Sequence, residues 1–418
     1  MVSSISLILN LGIMQLIVCT RPGDPDAIDD FYFGTLGIYD LTIQIFGGDL
    51  PGLIPEEDRN LFNYAPDKFD TICATLATNT TIRFVTITIF EGFLPEEYIS
   101  AAPNNTILRE IQEKIFLVNS TIMSLTITSI HDGTLAILGP TLQRENILNL
   151  TIDRLLSVSD TDSVAINLHC RDRPLNHLEM QLCDIGVMAF VRHFTSVAKF
   201  PKEVFFSNDE SLNRASPPII SLCGWRLICS LLREKHCNIQ ELCILSWGSL
   251  IPDSNVLMEL LCLSLAKNNV LCILSAPQIL FSDTARKMLG DTLCNEDNIA
   301  STYKSNHVLY EFNSFDHPLP ICNAAQWQDD TDPDKVELCL RWNFEAIDNG
   351  IQFAIVRKII YAHFGSSLSE EELRSLPPQI QVHVSNFFER ALRAGVNEHD
   401  VDLNRLDYYY RVLSQLLF

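Results

Sequence analysis

Apolar residues along this chain recur in a short alternating motif that gives way, within each unit, to a helical one. Leu175, Leu178, Met180, Cys183 and Ile185 fill offsets 1, 4, 6, 9 and 11 of the pattern L-x-x-L-x-L-x-x-[NC]-x-L. Ile147, Leu150, Ile152 and Leu155 fill its first four apolar offsets without a gap, as do Ile122, Leu125, Ile127 and Ile130. Ile82, Val85, Ile87 and Phe90 do the same, and so do Ile38, Leu41, Ile43 and Phe46, while Val204 and Phe206 mark a weaker unit. Alternation of this kind predicts a short strand whose even positions face inward. The residues that follow change period. Trp225, Ile228, Leu231 and Leu232 lie on one helical face, Val256, Leu257, Leu260, Leu261 and Leu265 on another, and Met288, Leu289 and Leu293 on a shorter one.

The repeat is literal in one place. Leu242-Cys243-Ile244-Leu245-Ser246 recurs as Leu271-Cys272-Ile273-Leu274-Ser275, about 29 residues on. Placed on the common pattern, the fourth-offset residues are Leu41, Val85, Leu125, Leu150, Leu178, Val204, Cys243 and Cys272. Some steps between them fit a repeat of roughly 20–29 residues; the longer ones require insertions. Gly47 to Asn63 and Ser207 to Pro218 supply two such loops. A strand and a helix of this size cannot bury both apolar faces alone, so the units must stack into a solenoid with a parallel sheet inside and helices outside. A doubly wound βαβ sheet is the chief rival, but it needs a glycine turn for phosphate, and neither G-x-G-x-x-G nor G-x-x-x-x-G-K-[ST] occurs.

Residues 175–198 and 239–294 resemble leucine-rich repeats of the ribonuclease-inhibitor type. The segment from Leu293-Cys294-Asn295 to Val308-Leu309 resembles the one that closes the repeat array in a group of uncharacterised leucine-rich-repeat proteins from microalgae. In that group a helical tail follows; Val356 to Ile360 with His363 resembles its first helix and Arg405 to Leu413 its last. The resemblance covers about 175–418. It implies an α/β fold, a horseshoe solenoid with a helical C-terminal cap, and a protein-binding scaffold with no catalytic residues and no cofactor. The chain departs from the family at the ninth offset, where Cys183 stands in one unit but Phe46, Phe90, Ile130 and Leu155 stand in the others. That side chain bonds turn backbone in such repeats, so its loss predicts irregular stacking. The expected organisation is an N-terminal segment over 1–30, a solenoid over 31–312, an acidic linker over 313–335 and a helical domain over 336–418.

Charge narrows the partner classes. With 52 acidic and 30 basic residues the net charge is −22, which argues against nucleic acid and anionic membrane surfaces as partners. No uncharged apolar run of about 18 residues lies beyond the first twenty, so no membrane insertion is expected. The first 19 residues are apolar enough for a signal-peptide core, but no Lys or Arg precedes them and no small-x-small site follows. A cytoplasmic chain is expected, with secretion the alternative. Sequons at Asn79, Asn104, Asn119 and Asn149 are no more than this composition yields by chance. The 13 cysteines sit mostly in apolar runs and form no C-x-x-C pair, which predicts reduced core thiols. His236-Cys237 and Cys243 lack zinc-site spacing.

The tail opens on an acidic stretch from Asp316 to Asp334 without EF-hand spacing, read as a solvated linker. Helical patterns resume at Val336, Ser369-Glu370-Glu371-Glu372 reads as a helix start, and Tyr408 to Leu417 as the last helix.

Ten histidines are scattered, and no hydrolase or metalloprotease motif is present. A Cys–His dyad through Cys170 or Cys237 would need spatial support. The binding candidates are the non-core strand positions, which line the concave face of a solenoid. They are Thr42, Gln44, Thr86, Thr88, Thr126, Thr128, Thr151, Asp153, Glu179 and Gln181, extended by Phe205 and Ser207, Ile244 and Ser246, and Ile273 and Ser275. Thr in these rows is also what strand propensity alone selects. The functional expectation is a non-enzymatic scaffold for an unknown protein partner. The alternatives are a secreted recognition ectodomain and a ubiquitin-ligase adaptor.

Overall fold

The structure, a computed structural model, describes residues 5–10, 14–20, 38–46, 63–64, 69–90, 108–128, 134–156, 158–182, 184–194, 200–207, 220–245, 254–277, 279–313, 335–363, 378 and 381–382. The chain is α/β and divides into two compact units, Met1–Leu227 and Ile228–Phe418. In each, parallel strands alternate with helices, a repeating pattern consistent with a solenoid.

In the first unit the parallel strands are β3 (Ile38–Phe46), β5 (Phe84–Phe90), β6 (Ser124–Thr128), β7 (Asn149–Leu155), β8 (His177–Gln181) and β9 (Glu203–Ser207). The pairing follows the sequence pattern residue for residue. Leu41, Val85, Leu125, Leu150, Leu178 and Val204 form one continuous register column, and Ile43, Ile87, Ile127, Ile152, Met180 and Phe206 form the next. All twelve are essentially sealed from solvent, and each contributes about 1.5–3 kcal/mol of hydrophobic stabilisation. Helices α1 (Phe69–Thr78), α2 (Thr134–Leu142), α3 (Val158–His169) and α4 (Asp184–Phe194) lie between strands, with a π-helical turn at Gln112–Phe116.

The apolar N-terminus is a hairpin. β1 (Ile5–Asn10) pairs antiparallel with β2 (Met14–Thr20), β2 pairs antiparallel with β3, and the short β4 (Asn63–Tyr64) pairs with β1. The run that resembles a signal-peptide core is thus part of the sheet.

Residues other than those at the ninth offset bond the turns, and the parallel register runs without a shift from β3 to β7 and breaks between Ile152 and Leu155. Asn119, 1 % exposed, donates through Nδ2 to the carbonyls of Leu76 (2.8 Å) and Asn79 (2.9 Å) and accepts from the Thr121 N–H (2.8 Å). Asn79 accepts from the Thr81 and Ile82 N–H groups. These are two of the four sequons, and the Nδ2 that a glycan would use on Asn119 is spent inside the fold.

In the second unit β10 (Glu241–Leu245), β11 (Ile273–Ser275) and β12 (Glu311–Asn313) are parallel. Here the register differs from the literal repeat. Leu242 pairs with Leu274, and Leu274 with Phe312; all three are buried. The fourth offsets are therefore Leu242 and Leu274, not Cys243 and Cys272. The first offsets are Ile239, Leu271 and Leu309, each buried in the turn before its strand. Burial of the larger aliphatic side chains, not identity of the five-residue string, sets the register. Ile244 consequently belongs to the core and not to the outward row.

Helices α5 (Leu222–Leu232), α6 (Ser254–Leu265), α7 (Asp283–Leu293), α8 (Ile299–Tyr303), α9 (Lys335–Asn349) and α10 (Ile351–His363) complete the described elements. Ser282 caps α7 by accepting from the Ala285 N–H (3.2 Å), and Asn298 caps α8 through the Ser301 N–H (2.9 Å). Gly350, at φ +85°, turns α9 into α10 in a conformation that side-chain-bearing residues avoid. The turn asparagines recur here. Asn306 donates to the Leu265 (2.8 Å) and Asn268 (2.9 Å) carbonyls and accepts from Val308 and Leu309. Asn268 does the same between Leu232 and the Val270 and Leu271 N–H groups. The expected linker, apart from residues 313 and 335, and the expected helix starting at Ser369 and helix ending at Leu417 lie outside the described residues.

Candidate binding face

The pleat that buries Leu41–Ile43 and its equivalents turns the intervening side chains to the opposite face of the sheet. In the first unit these form three rows, fixed by register. Thr42, Thr86, Thr126, Thr151, Glu179 and Phe205 make the middle row. Gln44, Thr88, Thr128 and Asp153 lie on one side of it, and Asp40, Phe84, Ser124, Asn149, His177 and Glu203 on the other. The middle row is half-buried throughout.

The rows change chemistry from β3 to β9. At β5 and β6 they are neutral: Thr128 and Thr88 join hydroxyl to hydroxyl at 2.8 Å. At β7 the register shifts between Ile152 and Leu155, so Gln181 pairs with Leu155, and its amide donates to Asp153 at 3.0 Å. At β8 and β9 the face becomes acidic and aromatic. His177 Nδ1 lies 3.1 Å from a Glu203 carboxylate oxygen, its Nε2 3.9 Å from Glu179, and its ring 4.8 Å from that of Phe205. The carboxylates of Glu179 and Glu203 hold the imidazole above its ordinary range against the opposing effect of burial.

This raised pKa has a testable sign. Because the folded value exceeds the unfolded one, the pairing stabilises the fold fully below about 6.5 and is lost as pH rises through the folded pKa. An NMR titration should place the His177 midpoint above 6.5, and Glu179→Gln should move it down; an unmoved midpoint would show that Glu179 does not hold the charge.

Of the sequence-predicted residues, Thr86, Thr88, Thr126, Thr128, Thr151, Asp153, Glu179 and Gln181 are brought together on this one face. Gln181 is 4 % exposed and serves chiefly as the partner of Asp153. Ser207 ends β9, and Ser246 lies outside the described residues. Ser275 belongs to the second unit, in the column of Cys243 and Asn313, and is buried. Sequence reading left His177 among scattered histidines and passed over Glu203. The alternation His177-Leu178-Glu179 puts His177 beside Glu179 on one face, whereas Glu203 joins them only through strand register.

Of the two dyad candidates, Cys170 is exposed, and burial pushes the Cys237 thiol up to about 11, away from the lowered pKa of a reactive thiol. The second unit has an open cavity of about 480 Å3 between α6, α7 and α8, lined by Glu259, Cys262, Met288, Thr292, Ser301 and Lys304 among others. Among the described residues no group of three or more His, Cys, Asp or Glu could hold a metal ion. No helix among them is long and apolar enough to cross a membrane. No protein-family model matches the chain, and no match is found among curated proteins.

Proposed function

We propose that the chain is a non-enzymatic leucine-rich-repeat scaffold that binds a protein partner on the outward sheet face of its first unit. The observation that carries this reading is the set of three register-aligned rows across β3 and β5 to β9, whose middle row is half-buried throughout and whose side chains present hydroxyls, amides and carboxylates. A face of this kind offers many weak, directional contacts over a rigid surface, which suits recognition of another folded surface. The acidic, aromatic end formed by Glu179, Glu203 and Phe205 fits a partner that presents lysine or arginine there.

The test is an affinity capture of the tagged chain from its own cells beside two variants. One carries Thr126→Lys and Thr151→Lys; the other carries Glu179→Ala and Glu203→Ala. A partner bound by the parent, lost from the lysine variant and weakened about tenfold in the alanine variant supports the reading. A partner held equally by all three proteins, each with an unchanged circular dichroism spectrum, overturns it.

A further inference from the structure

The β8–β9 end of the outward face holds four side chains at the corners of one rectangle. His177 and Glu179 stand two residues apart on β8, and the register sets Glu203 opposite His177 and Phe205 opposite Glu179. The two rings share one diagonal, with centroids 4.8 Å apart. The two carboxylates share the other, about 7–8 Å apart at the backbone. His177 Nδ1 lies 3.1 Å from Glu203 in a hydrogen bond, and its Nε2 lies 3.9 Å from Glu179, so both ring nitrogens face acid. On the β7 side the facing positions are neutral, Asn149 beside His177 and Thr151 beside Glu179, and the carboxylate of Asp153 is held by the Gln181 amide. All four corner residues are half-buried and open to a ligand.

Two carboxylates thus share one imidazole, and they are left with negative charge in excess whether or not it is protonated. Resting on the reading that this face binds a protein partner, we propose that the corner seats one arginine side chain of that partner, whose guanidinium takes both carboxylates from His177, so that docking and protonation of His177 exclude one another. A guanidinium presents N–H donors along more than one edge of a single plane. It can bond a carboxylate on either side and lie flat against the Phe205 ring. An ammonium is a compact, strongly hydrated point charge without that plane, so lysine fits less well.

Once the guanidinium is seated, an imidazolium there faces a second cation and has lost its acceptors. His177 gives its proton to solvent, and the neutral ring stays beside Phe205. The docked state holds fewer protons than the free one, so affinity rises with pH until His177 is neutral in the free chain. The raised pKa of the imidazole in the free chain agrees with this order of events.

The experiment follows the His177 ring resonance of the full chain, assigned by its absence from His177→Gln. The probe is N-acetyl-arginine amide at low salt, where exposed charges are least screened, and N-acetyl-lysine amide is the control. At pH 8 the arginine probe should shift the resonance saturably, and the lysine probe should bind at least about threefold more weakly. At pH 5.5 the arginine affinity should fall about tenfold. Glu203→Gln should cost about tenfold at pH 8. Phe205→Leu, which keeps both carboxylates, should erase the preference for arginine over lysine. Equal affinity for the two probes, equal affinity at the two pH values, or no saturable shift at pH 8 would each overturn the proposal. If the probe fails in this way while a captured partner is still lost from the Thr126→Lys, Thr151→Lys variant, the binding face stands and the arginine seat falls. A partner held by every variant overturns the face and the seat together.

Discussion

Replacing Arg171 by methionine is expected to lower the unfolding free energy of the first unit by about 3–5 kcal/mol. The guanidinium is 1 % exposed and sits where the end of α2 turns into β7 and the end of α3 turns toward β8. Its Nη1 donates to the carbonyls of Leu142 (2.9 Å) and Arg144 (2.6 Å), its Nη2 to that of Ile147, and its Nε to that of Arg173 (3.1 Å). One planar fork thus satisfies four backbone acceptors from two successive turns, which no other side chain can do. Methionine fills much of the volume and removes the cost of burying the cation, a cost visible in the lowered pKa of Arg171. It also strands the carbonyls, at about 1–3 kcal/mol for each one left dry. With four acceptors the second effect wins. Arg171→Lys keeps the charge but offers a single ammonium in place of a fork, so it should recover no more than about half the loss. Urea unfolding followed by circular dichroism reads both. A loss under about 1 kcal/mol for Arg171→Met would mean that water takes over the carbonyls.

Arg171 also marks the limit of what the pattern of residues reveals. The strands of the first unit were legible because large aliphatic side chains at alternate positions leave one register in which all are buried. Leu41, Val85, Leu125, Leu150 and Leu178 align in the structure as they do in the sequence. The turns were less legible, because the motif directs attention to the ninth offset. In this chain the turn amides lie three residues before the first core position: Asn79 before Ile82, Asn119 before Ile122, Asn268 before Leu271 and Asn306 before Leu309. The recurring N-x-x-[IL] was present but has no apolar periodicity to announce it. In the second unit an identical five-residue string outweighed burial and misplaced the register, although Leu271 and Leu274 are both core residues. At the N-terminus, the apolar run of leader-like length also forms two strands of a hairpin, the second paired with β3. The candidate face was legible as rows, since period two assigns Thr86 and Thr88 to one side. The association of Glu203 with His177 depends on strand register.

Lys358→Met is expected to raise the stability of the second unit by about 2 kcal/mol at pH 7, with the gain gone by about pH 10 and turning into a loss of up to about 1 kcal/mol above it. Lys358 is wholly buried, and desolvation pulls its pKa down to about 8. In the unfolded chain it returns to about 10.4. Below pH 8 both states hold the proton, and the folded state carries the full cost of an ammonium in the core. Between about 8 and 10.4 the unfolded chain binds the proton that the folded one has released, so stability from this group rises with pH. The shift corresponds to about 3 kcal/mol, from which about 1 kcal/mol is subtracted for the lost hydrogen bond to the Asn306 carbonyl. The thiols act in the opposite direction. Cys73, Cys229, Cys237 and Cys262 are raised to about 11, so the unfolded chain ionises first and stability falls as pH climbs past about 8.5. Four such groups outweigh one lysine, and the parent should become less stable in alkali. The four are common to parent and variant, however, and cancel in the difference between them. That difference, from denaturant unfolding between pH 6.5 and 10.5, isolates the lysine. A gain that stays constant across the range would come from apolar packing alone, and a loss at pH 7 would mean that the hydrogen bond to the Asn306 carbonyl outweighs the cost of the buried charge.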